Sequence, residues 1–66
     1  MLVLKVTMLE GRTPTQKAAL IHQLSIAAAQ HLNQPLADVR VVIYEVPKHA
    51  WGSGGRSIAE REEENR

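Results

Sequence analysis

Two arginines are the residues of this chain best suited to bind a small anion. Arg12 lies just before a predicted helix start, where the helix dipole disfavours a cation, and Arg40 interrupts an otherwise apolar predicted strand. A guanidinium can bind a carboxylate through two parallel hydrogen bonds, so each arginine is a candidate carboxylate ligand. Structural roles remain open for both, since Arg12 could be a solvated loop residue and Arg40 an edge-strand charge that discourages aggregation.

Trp51 is the only tryptophan of the chain, and it precedes the glycine-rich stretch 52–55. It could anchor a loop by packing, or form one wall of a small apolar pocket. The glycines do not indicate a phosphate-binding loop, because neither a Lys-Ser/Thr pair nor a helix start follows them. The aromatic side chain is therefore the candidate in this segment.

The sequence contains no pattern that indicates a metal or cofactor site. The three histidines, at positions 22, 31 and 49, do not share a helix face at a spacing of four residues, and the chain has no cysteine. The final glutamates resemble a solvated chain end more than an acid–base pair. We expect neither a metal nor a cofactor.

A β-α-β unit is predicted to position these residues. Residues 2–8 alternate as a strand, with Leu2, Leu4, Val6 and Met8 on one face. Thr13 and Gln16 form a capping-box pattern around Pro14, and the helical apolar pattern then continues to Leu32. Residues 39–46 predict a second strand, and a crossover helix makes the two strands parallel. The fold class is therefore α/β.

The segment after Pro47 is predicted to be a loop or small hairpin, followed by a charged, partly flexible tail at about residues 56–66. No repeat or linker divides the chain, so residues 1–66 are expected to form a single domain. Two strands and one helix leave sheet edges unpaired and one sheet face uncovered. Such a unit is expected to associate with a second copy or a relative.

Length and composition point the same way. The chain has 66 residues, 44% of them hydrophobic, and a formal net charge of +1. So short a chain buries only about 60% of its unfolded surface, and without disulfides it is expected to need a partner. The near-neutral charge argues against nucleic-acid binding. No apolar run exceeds four residues and no signal peptide is recognisable, so we expect a cytoplasmic protein without a membrane-spanning segment.

In order and spacing, the motifs of the chain resemble those of the 4-oxalocrotonate tautomerase family along nearly its whole length. They are Leu9-Glu10-Gly11-Arg12, Thr13-x-x-Gln16-Lys17-x-x-Leu20-Ile21, Pro35-Leu36-x-x-Val39-Arg40-Val41-x-Ile43-x-Glu45 and His49-x-Trp51-Gly52-x-Gly54-Gly55. The resemblance implies a short β-α-β subunit with a C-terminal loop or hairpin. It also implies that such subunits pair into four-stranded dimers and assemble into hexamers as trimers of dimers.

The resemblance further implies cofactor-independent isomerisation of an unsaturated 2-hydroxy or 2-keto dicarboxylate such as 2-hydroxymuconate. In the family, an N-terminal proline amine acts as the general base, with its pKa lowered among cations in an apolar pocket. Two arginines, which match Arg12 and Arg40, hold the carboxylates and stabilise the developing dienolate. Trp51 matches an aromatic substrate contact, and Leu9 matches an apolar pocket position.

One departure from the family pattern bears directly on catalysis: Leu2 stands where the family has its proline. A bulky second residue is expected to prevent removal of Met1, and the Leu2 nitrogen is then an amide without basic character. We expect this chain to be the proline-less subunit of a heterohexamer, with a homologous proline-bearing chain as its partner. Two alternatives are a non-enzymatic homo-oligomer that binds a small dicarboxylate, and a homo-oligomeric enzyme that uses the Met1 amine.

Overall fold

A computed structural model describes residues 1–64 of the chain, which begin with a β-α-β unit. Its elements are strand β1 (Leu2–Leu9), helix α1 (Pro14–His31), a 3-10 turn (Leu36–Asp38) and strand β2 (Val39–Val46). The strands pair in parallel, with Leu2 opposite Val39 and Leu9 opposite Val46. The predicted α/β class and parallel pairing are confirmed, and the element ends lie within one residue of those predicted.

Helix α1 begins and ends on local signals. The Thr13 hydroxyl accepts a hydrogen bond from the Gln16 N–H at 3.1 Å, and the Gln16 side chain accepts one from the Thr13 N–H at 3.0 Å. This reciprocal pair satisfies two backbone donors that a helix start otherwise leaves free. At the other end Asn33 takes a left-handed φ of 53°, which allows the chain to leave the helix.

The sheet is covered on one side only. Helix α1 packs against β2 on one face, and the strand residues on that face are buried or half-buried except for the exposed Glu45 at the strand end. The other face is exposed except at its last pair, Leu9 and Val46, which are half-buried; we call its exposed part the open face, with members Val3, Lys5, Thr7, Arg40, Val42 and Tyr44. Within residues 1–64 the core is minimal, because the buried class holds only Ala28 and Val39, each 8% exposed.

Beyond Pro47 the chain forms a C-terminal arm, residues 47–64. It contains a 3-10 turn (Lys48–Ala50), strand β3 (Gly52–Ser53), strand β4 (Arg56–Ser57) and helix α2 (Ile58–Glu64). The turn between β3 and β4 places Gly54 and Gly55 at φ values of 63° and 86°, which suits a two-residue hairpin with two left-handed residues. The predicted small hairpin is confirmed.

Residues 56–64, part of the segment predicted as a charged, partly flexible tail at about residues 56–66, form β4 and α2; residues 65 and 66 lie outside the described part. Hydrogen bonds between Ser57 and Glu60 explain why helix α2 begins here. The Ser57 N–H and hydroxyl donate to the Glu60 carboxylate at 3.1 and 3.0 Å, and the Glu60 N–H donates to the Ser57 hydroxyl. These hydrogen bonds lower the pKa of Glu60, first through the Ser57 backbone N–H and then through its hydroxyl.

The arm extends away from the β-α-β unit. Helix α2 packs against the 3-10 turn at Lys48 and the hairpin, and the Cα extents of the chain are 47 × 24 × 14 Å. The accessible surface is 5071 Å², whereas a compact protein of this mass exposes about 4,200 Å². The chain therefore exposes more surface than a compact protein of its mass.

Candidate functional site

Arg12 lies in the loop between β1 and α1, at the end of the sheet where both strands finish. Gly11 precedes it at a φ of 127°, a backbone conformation that side chains with a Cβ rarely adopt. The arginine is exposed. Among residues 1–64 no side chain or carbonyl accepts a hydrogen bond or an ion pair from its guanidinium. All five N–H donors of Arg12 are thus free for an external acceptor.

A cleft of about 160 Å³ lies beside Arg12, on the side of the sheet that α1 covers. Its walls combine the apolar side chains of one strand and one helix with polar and cationic groups: Met8, Arg12, Gln16, Lys17 and Leu20. Ligand sites usually measure about 300–1,000 Å³. The cleft is therefore smaller than a typical ligand site.

Lys17 and Glu45 form an ion pair at the same end of the sheet. The Lys17 Nζ lies 2.6 Å from a Glu45 carboxylate oxygen, and the pair joins the first turns of α1 to the end of β2. Because Glu45 balances the charge of Lys17, Arg12 is the uncompensated cation of the cleft. Lys17 and Glu45 both occur in the sequence motifs described above, but nothing in their spacing indicates that they are in contact.

Arg40 lies at the opposite end of the sheet. It stands opposite Val3 on the open face, and its guanidinium donates to the Ala37 carbonyl oxygen at 2.5 Å. From Val3 to Leu9, the residue three before Arg12, the strand rises about 20 Å at roughly 3.3 Å per residue. That separation is far longer than a six-carbon dicarboxylate. One chain alone does not bring Arg12 and Arg40 to the same small substrate.

Leu9 and Trp51 lie toward the Arg12 end. Leu9 is half-buried at the last position of β1, and Trp51 is half-buried at the base of the C-terminal arm. The Trp51 carbonyl accepts a hydrogen bond from the Ile58 N–H at 2.9 Å, which ties the start of the hairpin to the start of α2. Neither side chain lines the cleft beside Arg12. Four predicted site residues are therefore spread over the chain.

Leu2, which replaces the expected proline, begins β1 opposite Val39 at the Arg40 end of the sheet. Its side chain is half-buried, and Met1 before it is 86% exposed. Within residues 1–64 no group of three or more His, Asp or Glu side chains could hold a metal ion. In the same part of the chain, no helix has the length and apolar character needed to cross a membrane.

Sequence reasoning missed four residues of the cleft as site residues: Met8, Gln16, Lys17 and Leu20. Gln16 was recognised only as a capping residue, a role that occupies its side-chain oxygen and leaves its amide N–H groups free. The capping pattern itself was the available signal, because it places the side chain of the third helical residue beside the loop that carries Arg12.

Comparisons with known proteins match most of the chain. The family model described as "Tautomerase enzyme" matches residues 3–61. A 2-hydroxymuconate tautomerase from Pseudomonas putida is 46% identical over 56 residues, which cover 85% of this chain and 89% of the relative.

Solved structures match over most of the chain as well. TomN, a 4-oxalocrotonate tautomerase homologue in the tomaymycin biosynthetic pathway, superposes with a TM-score of 0.90 at 44% identity, covering 97% of this chain and 98% of TomN. A heterohexamer 4-oxalocrotonate tautomerase from Chloroflexus aurantiacus J-10-fl gives a TM-score of 0.86 at 55% identity, covering 91% of this chain and 97% of its own.

Proposed function

This chain belongs to the tautomerase family, and we propose that it is the subunit of a hetero-oligomeric tautomerase that supplies substrate contacts while a partner supplies the base. The proposed substrate is an unsaturated 2-hydroxy or 2-keto dicarboxylate, such as 2-hydroxymuconate, and no cofactor takes part. Relatives named 2-hydroxymuconate tautomerase support the substrate class. The heterohexamer from Chloroflexus aurantiacus J-10-fl supports a mixed assembly.

The separation of Arg12 from Arg40 is the observation that carries the proposal. Within residues 1–64 Arg12 has no partner, it lies beside a cleft smaller than a typical ligand site, and Arg40 lies about 20 Å or more away along the strands. A dicarboxylate held by both arginines needs them from different chains. The proposed active site therefore lies between subunits.

The proposed chemistry moves one proton and breaks no carbon–carbon bond. The base takes the proton of the substrate 2-hydroxyl, the electrons delocalise into a dienolate, and the same proton returns to carbon to leave the 2-keto product. Arg12 and Arg40 would pair with the carboxylates, and the positive charge stabilises the dienolate as it forms. Leu9 and Trp51 would contribute apolar walls that exclude water and strengthen these interactions.

Leu2 is the reason for assigning the base to a partner. The family's base is the secondary amine of an N-terminal proline, and leucine at this position offers an amide when Met1 is present. A homologous chain that begins Met-Pro would supply the amine, and this chain would complete the site with its arginines. Activity of this chain by itself, with Met1 intact, would favour the Met1 amine as the base instead. Dicarboxylate binding without turnover in any assembly would favour a non-enzymatic role.

The first experiment compares this chain alone with this chain co-expressed beside a homologue that begins Met-Pro. Native mass gives the assembly, and the loss of 2-hydroxymuconate absorbance gives the turnover. We expect high turnover only in the mixed assembly. A matched test replaces Leu2 by Pro in this chain, with mass spectrometry to verify that Met1 is removed. At chain concentrations high enough for self-association, we expect Leu2→Pro to give the chain an activity that the native chain lacks; equal activity of native and variant chains there would contradict the assignment of the base.

The second experiment tests Arg12 in the mixed assembly. We expect Arg12→Ala to lower kcat by about 10²-fold, the usual cost of one transition-state contact to a developing anion. Arg12→Lys keeps the charge but loses the two parallel hydrogen bonds, so it should recover only part of the turnover. Gln23→Ala, on the exposed side of α1, is the control. Unchanged kinetics in Arg12→Ala would remove this arginine from the site.

A further inference from the structure

Lys5 stands apart from the other lysines of the chain. Lys17 is paired with Glu45 at 2.6 Å, and Lys48 is paired with Glu62 at 2.8 Å. Lys5 has no hydrogen-bonding or ionic partner within residues 1–64. Arg12 shares this property, but the proposed function gives it a substrate carboxylate. The charge of Lys5 has no role in the site described above.

The position of Lys5 makes this charge significant. It lies on the open face opposite Val42, between Val3 and Thr7 on its own strand. The open face carries no acidic residue. The acidic residues nearest the sheet ends are Glu45, which lies on the covered face, and Glu10 and Asp38, which lie outside the strands. The open face therefore carries two cations, Lys5 and Arg40, and its other side chains are uncharged.

The open face has an apolar surface that suits burial against another chain. Val3 is 46% exposed, Val42 is 38% exposed and Tyr44 is 49% exposed. Burying an ammonium group beside them without an anion is costly. A second copy of this chain packed face to face on the open face would offer Lys5 no carboxylate from its own open face. Self-association through this surface is therefore opposed by charge.

We propose that the open face binds a homologous chain that presents an Asp or Glu side chain to Lys5, and that this contact selects the partner over a second copy. The inference rests on the proposed hetero-oligomer and adds the chemistry by which the two kinds of chain recognise each other. A carboxylate opposite Lys5 would form an ion pair that offsets the cost of removing the ammonium group from water. A second copy of this chain offers no such carboxylate on its open face, so Lys5 favours pairing with an acidic partner and disfavours pairing with another copy.

The test supplies the missing carboxylate on a variant of the same chain. The native chain, Lys5→Glu, Lys5→Gln and a 1:1 mixture of native with Lys5→Glu are compared at equal total concentration and low salt. Native mass spectrometry counts the two kinds of chain in each assembly. We expect the mixture to associate about tenfold more tightly than either chain alone, the effect of one close interfacial charge pair. We also expect Lys5→Gln to self-associate more than the native chain, because it carries no charge to bury.

Gln23 provides the matched control, because it lies on the exposed side of α1. A mixture of Gln23→Lys and Gln23→Glu chains carries the same opposite charges outside the open face, so its chains should combine in statistical proportions. Statistical mixing of native and Lys5→Glu chains, or self-association of the native chain as tight as that of the mixture, would overturn the proposal. These readouts are independent of turnover, so failure here is distinct from failure of the proposed function.

Discussion

Replacing Glu45 by Gln should destabilise the junction between α1 and β2 by about 1–2 kcal/mol. Lys17 and Glu45 are in contact at 2.6 Å, and their side chains are 26% and 30% exposed. Exposed ion pairs contribute about 0.2–1 kcal/mol, whereas removing one partner of a buried pair costs about 3–5 kcal/mol. Because the burial of the Lys17–Glu45 pair lies between these two cases, we expect a cost between the two ranges. Glutamine keeps the shape of the side chain but leaves the Lys17 ammonium half-buried without its anion.

The assay is urea and thermal unfolding at one fixed chain concentration, since the stability of an associating protein depends on concentration. In a domain of this size the expected loss lowers the Tm by about 4–15 °C. A double-mutant cycle with Lys17→Met separates the pair energy from the two individual effects. The exchanged pair, Lys17→Glu with Glu45→Lys, should recover part of the stability that either single change loses.

The pair of Lys48 and Glu62 provides the comparison. Their side chains are 49% and 56% exposed at a similar separation of 2.8 Å, so a cycle on this pair should give less than about 1 kcal/mol. A coupling energy for Lys17 and Glu45 below about 0.3 kcal/mol, within the additivity of independent sites, would refute the reasoning. So would an exchanged pair that is no more stable than the single variants.

Two further predictions concern the helix starts. Thr13→Ala should lower the unfolding free energy by about 1 kcal/mol, because it removes the cap of α1, whereas Thr13→Ser should retain most of the stability. Urea unfolding midpoints measure both variants. Equal midpoints for the alanine and serine variants would contradict the role of the cap. The pKa of Glu60 is lowered in the folded chain from its ordinary value of 4.5, so its carboxylate stabilises the start of α2 above that value, and this contribution is lost as the pH falls through the lower, folded pKa. NMR signals of α2 should therefore show loosening below about pH 4.5 in the native chain, and Glu60→Gln should remove most of this pH dependence.

Much of the β-α-β unit could be predicted because its signals are local. The alternation of β1 and the capping box at Thr13 depend on residues within a few positions of each other. Helix α2 carries the same kind of signal, Ser57 followed three residues later by Glu60. Its strongly charged composition was interpreted as a solvated end, and the cap was overlooked.

The candidate site was less predictable, because its geometry depends on residues distant in sequence. Arg12 and Arg40 could be recognised as cations in unusual positions. Their placement at opposite ends of the sheet follows only from the parallel register of the strands. The contact between Lys17 and Glu45 spans 28 residues, and no local pattern indicates it. The helical apolar pattern that continues to Leu32 is also an incomplete guide to burial within the chain, since two of its residues, Ile21 and Leu32, are 38% and 56% exposed.

Within residues 1–64 only Ala28 and Val39 are buried, and this has a consequence for how much of the protein a cell can maintain. An orphan copy offers proteases an open sheet edge and a weakly held backbone, and its fraction of folded molecules falls on dilution. In the proposed mixed assembly, copies made in excess of the partner should be degraded, while assembled copies persist. We therefore expect the scarcer of the two proposed chains to set the cellular amount of both.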